Sequence, residues 1–120
     1  MGKVLVVDDA QFMRLTLSNI LTKGGHEVIG EASDGQEAIE LYKQLQPELV
    51  TMDITMPNLD GMDAAEAIIE NDPEAKVIMC SAVGQQKVVV QAIQLGAKDF
   101  IVKPFDESRV LDTINRVLHN

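Results

Sequence analysis

Five side chains carry the chemistry this sequence could perform: Asp8, Asp9, Asp53, Ser81 and Lys103. Three are carboxylates and one is an ammonium, so a site that gathers them holds an excess of negative charge. Carboxylates within several ångströms repel one another, and one lysine does not balance three acids. A hard divalent cation would. Mg2+ is typically held by one or two carboxylates together with waters and phosphate oxygens. A carboxylate beside such a cation and an ammonium can attack a phosphoryl group and form an acyl phosphate. The cation and the lysine would neutralise charge on the transferring oxygens, and Ser81 could hydrogen-bond one of them.

Each residue also has a plainer reading. Asp8 or Asp9 would cap the helix that follows. Asp53 could open a turn before Pro57, a serine after a strand is common, and Lys103 could be a solvated lysine ahead of Pro104. Convergence decides between the readings, and the elements decide convergence.

Five short apolar runs alternate with five helical patterns. The runs are Val4–Val7, Val28–Gly30, Leu49–Met52, Val77–Cys80 and Phe100–Val102. Four are nearly continuous in apolar character, as strands covered on both faces are. The second is broken by Gly30 and flanked by Glu27 and Glu31, which predicts an edge strand. Helical spacing links Met13, Leu17, Ile20 and Leu21, then Ala38, Leu41, Tyr42 and Leu45. It links Met62, Ala65, Ile68 and Ile69, then Val89, Ala92, Ile93 and Gly96, then Val110, Ile114, Val117 and Leu118. Asp34 with Glu37, Asp60 with Asp63, and Asp106 before Glu107 read as helix starts. Gly24-Gly25, Pro47, Asn71-Asp72-Pro73 and Gly96 read as stops.

Strict strand–helix alternation predicts an α/β fold with a parallel sheet and right-handed crossovers. Five units suit a flavodoxin-like, doubly wound (βα)5 sheet of strand order 2-1-3-4-5. Ligands of such sheets bind beyond the carboxyl ends of the strands, where strand order reverses. Asp8 and Asp9 follow the first run, Asp53 closes the third, Ser81 the fourth and Lys103 the fifth. All five are therefore expected at one pole. Asp53, the single carboxylate on a central strand, is the best nucleophile, and Asp8 and Asp9 suit the metal.

Composition narrows the classes further. The chain has 120 residues, which fits one domain spanning 1–120 with no output domain expected. Lys+Arg 10 against Asp+Glu 19 gives a net charge of −9, which disfavours a nucleic-acid partner. Aromatics are 3% with no Trp, so base-stacking platforms are absent too. Cys80 is the only cysteine and cannot form an internal disulfide. Asp8 and Asp9 end the early apolar run, so neither a signal peptide nor membrane insertion is expected and a cytoplasmic location is. His26 and His119 lie outside the constellation, leaving no base for a Ser-His-Asp hydrolase, and no G-x-x-x-x-G-K-[ST] loop is present.

The sequence resembles the receiver domains of two-component response regulators along its whole length. The resemblance is carried by Val7-Asp8-Asp9, Asp53-Ile54-Thr55-Met56-Pro57 with Asp60-Gly61, Ser81-Ala82, Gly96-Ala97-Lys98-Asp99-Phe100 and Lys103-Pro104-Phe105. It implies that Asp53 accepts a phosphoryl group from a phosphohistidine of a partner kinase. Asp8, Asp9, Asp53 and the backbone carbonyl of Thr55 would frame Mg2+, and Ser81 and Lys103 would contact the phosphoryl group. It further implies a cis Lys103–Pro104 bond, and a switch in which Ser81 moves toward the phosphate and an aromatic at Phe100 turns inward. The face made by the fourth helix, fifth strand and fifth helix would change with it. Phe100 stands where many relatives carry Tyr, and it reads equally as a core or rim aromatic.

The stretches 80–87 and 98–105 are similar to the chemotaxis regulators of Gram-positive bacteria and Thermotogae. That similarity implies a monomeric switch, not a turnover enzyme, whose partners are a chemotaxis histidine kinase, the flagellar motor switch protein and a phosphatase of the regulator. A phosphorelay shuttle passing its phosphoryl group to a histidine phosphotransfer protein is the alternative. A Mg2+-dependent phosphatase of related topology would need an acid–base carboxylate two residues after Asp53, where Thr55 stands.

Overall fold

Apolar side chains alternate along each central strand, and the alternation builds two cores. The structure, a computed structural model, describes residues 2–119, so the first and last residues of the expected 1–120 span lie outside the described residues. Its elements are β1 (Lys3–Val7), α1 (Gln11–Lys23), β2 (Glu27–Ala32), α2 (Gly35–Leu45) and β3 (Leu49–Asp53). They continue with α3 (Gly61–Asn71), β4 (Val77–Ser81), α4 (Gln86–Leu95), β5 (Asp99–Val102) and α5 (Glu107–Leu118). The sheet is parallel in the order β2-β1-β3-β4-β5, as the sequence predicts.

Successive strand residues point to opposite faces. Leu5, Val7, Val50, Met52, Val77 and Met79 pack with α2, α3 and α4 on one side. Val4, Val6, Leu49, Ile78, Cys80 and Ile101 pack with α1 and α5 on the other. β1, β3 and β4 are buried along nearly their whole length, which is why they read as unbroken apolar runs.

Two expectations need correction. β5 was expected to be covered on both faces, yet Phe100 and Val102 are 42% and 43% exposed. It is the second edge of the sheet, and α4 leaves an open pocket beside these positions instead of covering them. Neither Asp8 nor Asp9 caps α1: the N-cap is Ala10 and makes no side-chain cap bond. Asp8 is turned to the pole instead, where Oδ1 accepts the Ala10 N–H at 2.9 Å. The other three starts hold. Asp34, Asp60 and Asp106 accept from the N–H groups of Glu37, Asp63 and Arg109, each satisfying a helix amide that would otherwise lack a partner. Gln46 and Gly96 end α2 and α4 in left-handed conformations, one residue before Pro47 and at the predicted glycine.

Candidate functional site

Asp8 follows β1, Asp53 ends β3, Ser81 ends β4 and Lys103 follows β5, so four adjacent strands deliver them to one pole. Carboxylate oxygens of Asp8, Asp9 and Asp53 lie within 4.8 Å of one another. Asp8 and Asp53 are buried, and Asp9 is exposed at the rim. Lys103 reaches across from β5 and places Nζ 2.7 Å from Asp8 Oδ2 and 3.0 Å from Asp53 Oδ1. The bond from Lys103 to Pro104 is cis.

Charge at this pole is unbalanced. Burial raises the Asp53 carboxyl to about 6; the hydrogen bond and charge of Lys103 pull it down, and the charges of Asp8 and Asp9 push it up. Burial also opposes the charge on Lys103. Its hydrogen bonds to Asp8 and Asp53, with the charges of both, outweigh that and hold it above the ordinary lysine value. Three oxygen-donor acids against one ammonium fit a small hard dication, which would supply the missing positive charge. A buried carboxylate with such neighbours can serve as a nucleophile toward a phosphoryl group.

The remaining predicted residues are placed less uniformly. Ser81 is buried one position beyond the Asp53–Cys80 register pair, at the end of the neighbouring strand. Thr55 is exposed in the loop between β3 and α3, and its hydroxyl accepts from Gln85 Nε2 at 3.2 Å. Phe100 does not join the carboxylates. Its exposed ring lines an apolar pocket of about 270 Å³ with Ser81, Val83, Val89, Val90 and Val102. The ring stands at the rim of the molecule.

Three residues position the site in ways not read from the sequence, Gly61 among them although it helps to carry the resemblance. Arg14 donates from Nη1 to the Asp8 carbonyl at 2.7 Å and from Nε to Glu31 at 3.0 Å, tying the first acid to β2. A cation in the first turn of a helix opposes the helix dipole, and that was the available signal. Gly61 N–H donates to the Ile54 carbonyl at 2.8 Å, bringing the start of α3 onto the end of β3. Gln85 bridges the loops after β3 and β4. A glutamine directly before a helix, where a short polar cap is preferred, was its only trace.

The chain matches the family described as response regulator receiver domain over residues 4–115. It is 60% identical over 118 residues to a chemotaxis protein CheY of Thermotoga maritima, covering 98% of each chain. It is 56% identical over 117 residues to that of Bacillus subtilis, again covering 98% of each. Among solved structures, the CheX-CheY-BeF3-Mg+2 complex from Borrelia burgdorferi superposes with a TM-score of 0.92 at 43% identity, over 96% of this chain and 87% of that one.

Proposed function

The chain belongs to the response regulator receiver family, and from that premise we propose that it is a phosphorylation-activated chemotaxis switch acting on the flagellar motor. Asp53 takes the phosphoryl group from a phosphohistidine of a chemotaxis histidine kinase. An Asp53 carboxylate oxygen forms the new bond to phosphorus, the phosphorus–nitrogen bond breaks, and its electron pair returns to the imidazole. The observation that carries this reading is the cluster of three carboxylates with Lys103 bonded to two of them.

Asp8, Asp9, Asp53 and the Thr55 carbonyl would hold Mg2+, which supplies charge neutralisation for the carboxylates and the transferring oxygens. Lys103 keeps the Asp53 carboxylate oriented and offers its ammonium to the incoming oxygens. Ser81 donates to a phosphoryl oxygen from the adjacent strand. Output leaves through α4, β5 and α5, where Phe100 and its apolar pocket meet the motor switch protein. Removal of the phosphoryl group falls to the domain itself and to a phosphatase. The Borrelia relative, solved with BeF3, Mg2+ and CheX, supports both the phosphoryl site and a CheX-type partner. The same reading takes the chain as a monomeric, cytoplasmic regulator.

The test is intact-mass measurement after incubation with Mg2+ and acetyl phosphate. Wild type gains one phosphoryl group and Asp53→Asn gains none; equal labelling of the variant overturns the assignment. A phosphorelay shuttle shares this chemistry. It is separated by pull-down: capture of a flagellar switch peptide only after phosphorylation supports the motor reading, and onward transfer to a second histidine supports the shuttle.

A further inference from the structure

Gln85 occupies the N-cap position of α4 without capping it: its side chain makes no bond to the helix. Glutamine is a poor cap, and Ser, Asp or Asn there would hold a free helix amide. The Gln85 amide turns outward across the pole. Its Oε1 accepts the backbone N–H of Ala82 at 2.7 Å, and its Nε2 donates to Thr55 Oγ1 at 3.2 Å. The orientation is fixed chemically, because a backbone N–H can only donate and so must face the amide oxygen. One side chain thereby ties the loop after β4 to the loop after β3. Both loops border Asp53: Ala82 directly follows Ser81, and Thr55 lies two residues past Asp53.

We propose that Gln85 is a positioning residue, a side-chain strap that holds these two loops in the resting arrangement and opposes uptake of a phosphoryl group at Asp53. Ala82 and Ser81 share a peptide bond, so a movement of Ser81 toward a group on Asp53 carries the Ala82 N–H with it. That N–H is already committed to Gln85. The strap must therefore open before the end of β4 can close on the phosphoryl oxygens, and opening it forfeits two neutral hydrogen bonds. The inference rests on the phosphoryl reading only for its second consequence; the strap itself is a property of the resting protein.

The test has two arms. In the metal-free protein, amide hydrogen exchange is followed at Ala82. Gln85→Ala is expected to speed it about tenfold, and Thr55→Val, which leaves the Ala82 bond in place, by less. Gln85→Ser restores a cap on α4 yet is too short to accept the Ala82 N–H, so it should exchange as fast as the alanine variant. If the serine variant recovers wild-type protection, Gln85 acts only through helix stability and the strap is overturned. Unchanged exchange in Gln85→Ala overturns it as well. In the second arm, beryllofluoride with Mg2+ is titrated into wild type and Gln85→Ala. A midpoint about fivefold lower in the variant is expected, and an equal or higher midpoint overturns the opposition to phosphoryl uptake. A wild type that takes up no beryllofluoride would refute the phosphoryl reading while leaving the exchange result to judge the strap.

Discussion

Gly61 opens α3 directly against the backbone of Asp53: a methyl carbon on its Cα would lie 1.8 Å from the Asp53 carbonyl oxygen. No side chain fits there, and the obstructing atom is backbone, which cannot swing aside. Gly61→Ala should therefore push α3 off the end of β3 and move the carboxylate, costing about 3 kcal/mol. Urea denaturation checks it. An unshifted midpoint would mean that the helix slides without cost.

Metal-free protein should carry a pH-dependent penalty at Asp53. Its carboxyl titrates at about 6, against about 3.9 for an unperturbed aspartate. Between those values the native state keeps a proton that the unfolded chain has released, so stability falls as pH rises through the window. In EDTA at about pH 7.5, Asp53→Asn should be more stable than wild type, and the two should converge near pH 4. A variant less stable at the higher pH contradicts the burial argument.

Mg2+ should reverse that penalty in wild type alone. At ten times its dissociation constant a bound ion adds about 1.4 kcal/mol to stability. Melting curves with and without Mg2+ should separate for wild type and coincide for Asp8→Asn, which lacks one buried carboxylate of the cluster. Equal shifts in both proteins would place the ion elsewhere.

Lys103 is paired with Asp8 and Asp53, the acids that under the proposed function would also hold the cation. Lys103→Met should tighten Mg2+ binding about tenfold, or roughly 1.4 kcal/mol, while slowing phosphoryl uptake. Lys103→Arg keeps the charge but not its compact shape. It should leave uptake partly intact and uncouple it from partner binding. Isothermal titration with Mg2+ reads the first effect, and a full gain in switch-peptide affinity on phosphorylation of the arginine variant would refute the second.

Phe100→Ala should leave phosphoryl uptake unchanged, because the ring is not among the carboxylates, and should weaken capture of a flagellar switch peptide at least tenfold, as loss of an aromatic anchor does. Retained capture would put the docking surface elsewhere.

Much of this arrangement was legible before any coordinates. Strict alternation of apolar runs and helical stripes specified the sheet, because a strand buried on both faces has no other way to look in sequence. Asp53 and Lys103 were legible for the same reason: each closes a strand whose position in the sheet followed from chain order. What failed depended on neighbours. The exposure of Phe100 reflects the open pocket that α4 leaves beside β5, and the loss of the Asp8 cap reflects a lysine ninety-five positions further along the chain. Gln85, Arg14 and Gly61 act on partners in other loops, and nothing within a few residues of each one names that partner.

β5 puts Phe100 three residues before Lys103 on one short strand, open to solvent at one end and bonded to the acids just past the other. At about 3.3 Å per residue the two are roughly 10 Å apart along the chain. Under the proposed function, input and output then lie on a single lever, and coupling between them is reciprocal by thermodynamic necessity. A protein that grips the Phe100 end more tightly in the phosphorylated state must also favour the phosphorylated state itself. The listener thus helps to set how much of the signal it hears.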